Sequence, residues 1–135
     1  MKVVVIDGQG GNIGKQLVKS VKDNFPDVYV RAIGTNSTAT SNMLKGGADE
    51  AATGENAAIV GSQIADVIVG PIGIIIPNAL LGEVSAQMAT AIAGSKAEKV
   101  LIPLNKCDVL IAGVNDKTTG ELLNDAMKML HDIIK

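Results

Sequence analysis

The segment with the clearest chemical signature is a glycine-rich loop near the N-terminus. It follows Lys2–Asp7, an apolar β-branched run typical of a buried strand, and precedes Asn12–Asn24, whose apolar residues recur at helical spacing. A turn of this kind suits a phosphate, because the backbone can approach closely and the N–H groups of the helix end point toward the anion. The sequence therefore predicts a nucleotide-binding loop formed by Gly8, Gln9, Gly10, Gly11, Asn12, Ile13 and Gly14.

The spacing of these glycines leaves a second interpretation open. If Gly11 and Gly14 are the second and third glycines of a G-x-G-x-x-G fingerprint, the first position is occupied by Gln9. The P-loop pattern also fails, because Gln9 replaces its first glycine and Gln16 replaces the serine or threonine after Gly14-Lys15. The alternative is a structural turn in which Gly14 allows the helix to pack closely on the sheet.

The end of the second predicted strand, Val28–Ile33, would contact the ribose in a dinucleotide-binding fold. It lacks the carboxylate that holds ribose hydroxyls in NAD-binding domains, and Thr35, Asn36 and Ser37 follow instead. Their polar groups, with Arg31 nearby, fit a 2′-phosphate, so NADP is favoured over NAD. The alternative is that these three residues cap the next helix.

Few residues are candidates for catalysis or metal binding. Asp7, Glu55, Glu83 and Asn105 are expected at one edge of the sheet, where the carboxylates also suit helix caps. Cys107 lacks an identifiable base and is predicted to be a free thiol, and His131 is predicted to be exposed on the last helix. No cluster has metal-ligand spacing, so the sequence assigns neither a reaction nor a metal.

Composition indicates the fold class of this 135-residue chain. A hydrophobic content of 47% excludes disorder, and one Phe, one Tyr and no Trp imply an aliphatic core. Val/Ile runs separated by helical segments predict right-handed crossovers between parallel strands. We expect a single α/β domain over residues 1–135, with a three-layer, Rossmann-like, doubly wound and mostly parallel sheet.

Two features of the C-terminal half qualify this topology. Lys99–Leu104 and Val109–Val114 are separated by only four residues, too few for a crossover, so they predict an antiparallel hairpin at the sheet edge. Asn78 or Ser85 is expected to cap the preceding helix. Thr118 and Glu121 have the spacing of a capping box and predict the start of the final helix.

The stretch Val67–Gly82 is uncharged, and Gly70, Pro71, Gly73 and Pro77 interrupt it, which excludes a membrane-spanning helix. Its apolar part Ile72–Leu81 runs through what should be a loop above the sheet. Such a loop either lines a pocket or contacts a second subunit. Its Ile74-Ile75-Ile76 core offers no polar group to orient a ligand, so we expect a homo-oligomer formed through this stretch.

Charge and cysteine content limit the partners. The chain has 12 basic and 14 acidic residues without a basic cluster, so nucleic acid and anionic membranes are disfavoured partners. One cysteine cannot form an internal disulfide, and the N-terminal MKVVVIDGQGG lacks the features of a signal peptide. We therefore expect a cytoplasmic protein.

Five stretches together carry a resemblance to a known family: VIDGQGGNIG, GADEAATGEN, ADVIVGPIGII, LLGEVSAQMATAIAGS and KVLIPLNKC. They resemble the short bacterial proteins grouped as the family of unknown function 3842, which implies a small standalone Rossmann-like protein and supplies no activity. The first stretch also resembles the opening of NAD(P)-dependent dehydrogenases. Three functions remain open: a nucleotide-binding protein, a small NADP-dependent oxidoreductase, and a non-catalytic scaffold or interaction subunit with a purely structural glycine turn.

Overall fold

The computed structural model describes residues 1–104, 109–114 and 116–134, in which strands and helices alternate. The strands are β1 Lys2–Asp7, β2 Tyr29–Gly34, β3 Glu50–Thr53, β4 Val67–Pro71 and β5 Glu98–Ile102. The helices are α1 Asn12–Asn24, α2 Ser37–Lys45, α3 Glu55–Ile64, α4 Ala86–Ala93 and α5 Thr119–Ile134, and a 3-10 helix, Ile72–Ile75, follows β4.

The five strands form one parallel sheet in the order β3-β2-β1-β4-β5. In the centre, Val3 of β1 pairs with Val30 of β2 on one side and with Val67 of β4 on the other. This is the strand order of a doubly wound Rossmann sheet, which confirms the predicted α/β class. The chain leaves β1 toward one edge of the sheet and leaves β4 toward the other, so the switch point lies between these two strands.

Helices cover both faces of the sheet. α1, α2 and α5 pack on the face that carries Val3 and Val5 of β1, whereas α3 and α4 pack on the face that carries Val4 and Ile6. All four of these β1 side chains are fully buried. Burial on both faces explains why the central strands are continuous runs of Val and Ile rather than alternating sequences.

Local sequence features determine where several helices begin. Ser85 is the N-cap of α4, and its hydroxyl accepts a 3.1 Å hydrogen bond from the amide of Met88. At the start of α5, the Thr118 hydroxyl accepts from the Glu121 amide, and the Glu121 carboxylate accepts from the Thr118 amide, both at 3.1 Å. The predicted capping box is therefore present.

The predicted antiparallel hairpin at the C-terminal edge is wrong. β5 ends at Ile102, and Val109–Val114 contains no strand, so the described sheet is parallel throughout. Pro103 has no N–H to extend the ladder, and the Leu104 amide donates a 2.8 Å hydrogen bond to the Ile102 carbonyl, which turns the chain out of the sheet. The predicted hairpin turn, residues 105–108, lies outside the described residues.

Several residues of the apolar stretch Ile72–Leu81 are buried in the core of the protein. Ile74 is fully buried and Ala79 and Leu80 are 2% exposed, and all three join the core between the sheet and α3 and α4. Leu81 is the exception, with 95% of its surface exposed. Among the described residues, no helix combines the length and the apolar character needed to span a membrane.

Candidate functional site

Asp7, the last residue of β1, braces the glycine loop from inside. Its carboxylate is 4% exposed and accepts a 2.8 Å hydrogen bond from the Gly8 amide and a 2.7 Å bond from the Gly14 amide. Burial raises the pKa of Asp7, the two amide hydrogen bonds oppose that rise, and the negative charge of Glu83 adds to it. The Gly14 amide is therefore already paired within the loop.

Three glycines of the loop are required by packing. Gly11 has a left-handed φ of 73°, and a Cβ there would lie 2.7 Å from the Ala39 Cα atom. A Cβ on Gly14 would lie 2.5 Å from the Met43 sulfur, and a Cβ on Gly8 would lie 2.5 Å from Oγ1 of Thr35. Gly14 therefore allows the close helix–strand contact expected of the third fingerprint glycine. These three positions need glycine whether or not a ligand binds.

Gly10 differs from its neighbours. It is exposed, its backbone lies outside the left-handed region, and a Cβ added there would come no closer than 3.8 Å to Asn12 Nδ2. Within the part of the chain that the structure describes, the amides of Gly10, Asn12 and Ile13 donate no hydrogen bond. The N-cap of α1 is Gly11, which has no side chain to satisfy them, and the first turn carries no acidic residue. The start of α1 is thus open toward solvent and electrostatically suited to an anion.

A second carboxylate, Glu83, reaches the loop from outside. Its Oε1 atom accepts hydrogen bonds from the Gln9 amide at 2.8 Å, the Thr35 hydroxyl at 2.6 Å and Asn36 Nδ2 at 2.8 Å. Burial by itself would raise the pKa of Glu83, but these three donors outweigh it and lower the pKa. Glu83 is therefore ionised at neutral pH, and it joins the glycine loop to the end of β2.

Glu83 is positioned by a tight segment before α4, residues 78–85, which we name the strap. Asn78, Leu80 and Leu81 all have left-handed φ angles, of 65°, 56° and 57°. The Asn78 amide donates a 2.7 Å hydrogen bond to the Val84 carbonyl, which closes the strap on itself. Left-handed leucines are rare and cost about 1–2 kcal/mol each. In the strap, these left-handed residues bring the side chains of Leu80 and Glu83 close to Gly8 of the glycine loop.

The residues predicted at the end of β2 have mainly structural partners. Asn36 is the N-cap of α2, where its Oδ1 accepts from the Ala39 amide at 2.9 Å, and Ser37 is the exposed first residue of that helix. Nη2 of Arg31 lies 3.7 Å from Oε1 of Glu50 on the neighbouring strand β3, so the guanidinium of Arg31 forms an ion pair with Glu50. The expected contribution of Arg31 to a 2′-phosphate site has no support in this arrangement.

The other candidates for catalysis that the structure describes, Glu55 and His131, have partners outside the glycine loop. Glu55 accepts a hydrogen bond from the Ser85 hydroxyl at the end of the strap. His131 is exposed on α5, with its ring 4.7 Å from that of Phe25. Asn105 and Cys107 lie outside the described residues. Among those that are described, no group of three or more His, Cys, Asp or Glu side chains is placed to hold a metal ion.

Comparison with known proteins gives a family. A family model described as Domain of unknown function (DUF3842) matches residues 2–135. The chain belongs to this family. The resemblance seen in the sequence is thereby confirmed, and no curated protein matches the chain. Among solved structures, the crystal structure of a dodecameric FMN-dependent UbiX-like decarboxylase from Escherichia coli O157:H7 is similar, with a TM-score of 0.47 and 14% identity over 98% of this chain and 92% of that chain.

Proposed function

We propose that this protein binds a nucleotide or dinucleotide at the Gly8–Gly14 loop, with a phosphate on the amides of Gly10, Asn12 and Ile13. The observation that carries the proposal is the group of three amides, unpaired among the described residues, at the uncapped start of α1. They lie at the carboxyl edge of the sheet, beside the switch point between β1 and β4, where ligands bind in doubly wound folds. A phosphate there would supply the missing acceptors and favourable charge.

A structural turn is the second candidate function for the loop. It is favoured by the packing of Gly8, Gly11 and Gly14, and by the two internal carboxylates that already satisfy other amides. In that case the protein is a scaffold or interaction subunit. Gly10 distinguishes the two functions, because packing does not require glycine there and a structural turn would tolerate a Cβ at this position.

The test is a comparison of wild type with Gly10→Asp and Gly10→Asn. Gly10 is exposed and a Cβ there meets no atom closer than 3.8 Å, aspartate and asparagine have the same shape, and only aspartate places a negative charge beside the proposed phosphate. Isothermal titration with AMP, ADP, ATP, NAD, NADP and FMN should show binding that Gly10→Asp weakens by about tenfold or more, with a smaller effect of Gly10→Asn. Absence of binding by every nucleotide would support the structural turn.

The NADP-dependent oxidoreductase is the least supported alternative. The preference for NADP depends on the absence of a carboxylate directly after β2 and on a nearby arginine. In the folded chain Glu83 contacts Thr35 and Asn36 at that position, and Arg31 is paired with Glu50. The homo-oligomer through Ile72–Leu81 stays a prediction, supported by the exposure of Leu81.

A further inference from the structure

We infer that Glu83 determines which ribose the site accepts: its carboxylate binds the hydroxyls of an unphosphorylated ribose and excludes a ribose 2′-phosphate. The inference rests on the proposed nucleotide binding and specifies its ligand class. It assigns the ligand to nucleotides of the AMP or NAD type, not the NADP type.

The position of the Glu83 carboxylate is the first reason. Its Oε1 atom is held by the Gln9 amide, and the next amide along the loop is that of Gly10, unpaired among the described residues. The carboxylate is therefore bound one residue before the first amide of the proposed phosphate site, on the side of the loop that faces the end of β2. On its other side it contacts Thr35, immediately after β2. It lies between the phosphate loop and the end of β2, as the ribose of a bound nucleotide does in doubly wound folds.

The hydrogen-bonding capacity of Glu83 is the second reason. Oε1 receives three donors, whereas no donor from the described residues reaches Oε2. Glu83 is partly buried, and no described side-chain oxygen is fully buried without a partner, so Oε2 retains some exposed surface. A carboxylate whose first oxygen is fixed in this way presents the second as an oriented acceptor, which suits a hydroxyl donor.

The charge around the site is the third reason. A ribose 2′-phosphate would place about two negative charges beside an ionised carboxylate, whereas sites that accept it supply an arginine. The arginine on β2, Arg31, is paired with Glu50. The arrangement repels the phosphorylated ribose and attracts the hydroxylated one.

Three adenosine probes that differ only at the ribose 2′ position provide the test: AMP, 2′-deoxy-AMP and adenosine 2′,5′-bisphosphate. With wild type, isothermal titration should give the tightest binding for AMP and the weakest for the bisphosphate, with about a tenfold difference between them. Glu83→Gln should weaken AMP and remove most of the discrimination against the bisphosphate. Glu55→Gln, a glutamate at the same sheet edge that contacts Ser85 instead, should leave the ratio unchanged.

The outcomes separate the two proposals. If the probes bind and Gly10→Asp weakens all of them, but wild type binds the bisphosphate as tightly as AMP, the ribose inference is overturned and the proposed function stands. An unchanged selectivity ratio in Glu83→Gln overturns it equally. If wild type binds none of the three probes, the ribose inference fails, and the proposed function fails only if the other nucleotides of the panel do not bind either. Thermal unfolding of each variant, measured alongside, identifies any loss of binding that comes from misfolding.

Discussion

The hydroxyl of Thr35 donates a 2.6 Å hydrogen bond to Oε1 of Glu83, 48 residues further along the chain. Through this contact the strap after β4 is attached to the end of β2, across the start of the glycine loop. The site consequently contains a carboxylate that is absent from the local sequence of either the loop or β2. This carboxylate is the basis of our inference that the ligand has a free ribose and not a ribose 2′-phosphate.

Glu83→Gln should destabilise the protein in a pH-dependent way. The pKa of Glu83 is lowered in the folded state, so its stabilising contribution is present above its ordinary value of 4.5 and is lost as the pH falls through the folded pKa. We expect the variant to lose about 1 kcal/mol of unfolding free energy at pH 7, from weaker hydrogen bonds to three donors. Urea unfolding at pH 7 and at pH values below 4.5 measures this. A deficit that does not shrink in acid would contradict the assignment.

Asp7→Asn should destabilise the loop at pH 7 by about 1–3 kcal/mol, because an asparagine NH₂ group cannot accept a hydrogen bond from one of the two amides. The pH effect has the opposite sign to that of Glu83. The pKa of Asp7 is raised above 3.8, so the contribution of this group is most favourable below that value and declines as the pH rises through the folded pKa. Asp7→Asn should remove that decline. Equal stability of variant and wild type at pH 7 would show that Asp7 does not brace the loop.

Alanine substitutions should separate the loop glycines by role. Gly14→Ala places a Cβ 2.5 Å from the Met43 sulfur and 2.7 Å from the Asp7 Cβ atom, and we expect a loss of about 1–3 kcal/mol. Gly10→Ala meets no close atom and should change the unfolding free energy by less than about 0.5 kcal/mol. Thermal or urea unfolding compares them directly. Similar losses at the two positions would refute the distinction.

Leu81→Asn tests the predicted homo-oligomer. Leu81 is 95% exposed and has a left-handed φ, which asparagine tolerates, so the variant preserves the strap while removing an apolar side chain. If Ile72–Leu81 forms the subunit contact, the wild type should be oligomeric. The variant should be monomeric at protein concentrations at which the wild type is still assembled. Size-exclusion chromatography with light scattering measures both. A monomeric wild type at micromolar concentration would rule out the contact.

Signals local to the sequence were sufficient for much of the fold. β1 and α1 have the predicted boundaries. An unbroken run of valines can be buried only as a strand inside the sheet, and an amphipathic helix that ends before Pro26 can bury its apolar side only against that sheet. The capping box at Thr118 also depends only on neighbours. The hairpin failed because spacing excludes a crossover without requiring a strand, and Pro103 had already ended the ladder.

The missed part of the site depends on long-range contacts. Glu83 was expected at the correct edge of the sheet, but its partners are set by the left-handed backbone at Leu80 and Leu81, residues with little intrinsic preference for that conformation. No local pattern indicates such a turn. The sequence correctly shows that no carboxylate follows β2 directly, but it does not show that Glu83 contacts Thr35 and Asn36 there in the folded chain.

Calorimetric titration of AMP and NAD into wild type, Gly10→Asp and Gly10→Asn tests the proposed phosphate site most directly. We expect measurable binding to wild type, about a tenfold or greater loss in Gly10→Asp, and a clearly smaller loss in Gly10→Asn, because only aspartate repels the phosphate from the amides of Gly10, Asn12 and Ile13. Equal affinity for all three proteins would contradict binding at this loop, and absence of binding to the wild type, for these two ligands and for the rest of the nucleotide panel, would contradict nucleotide binding.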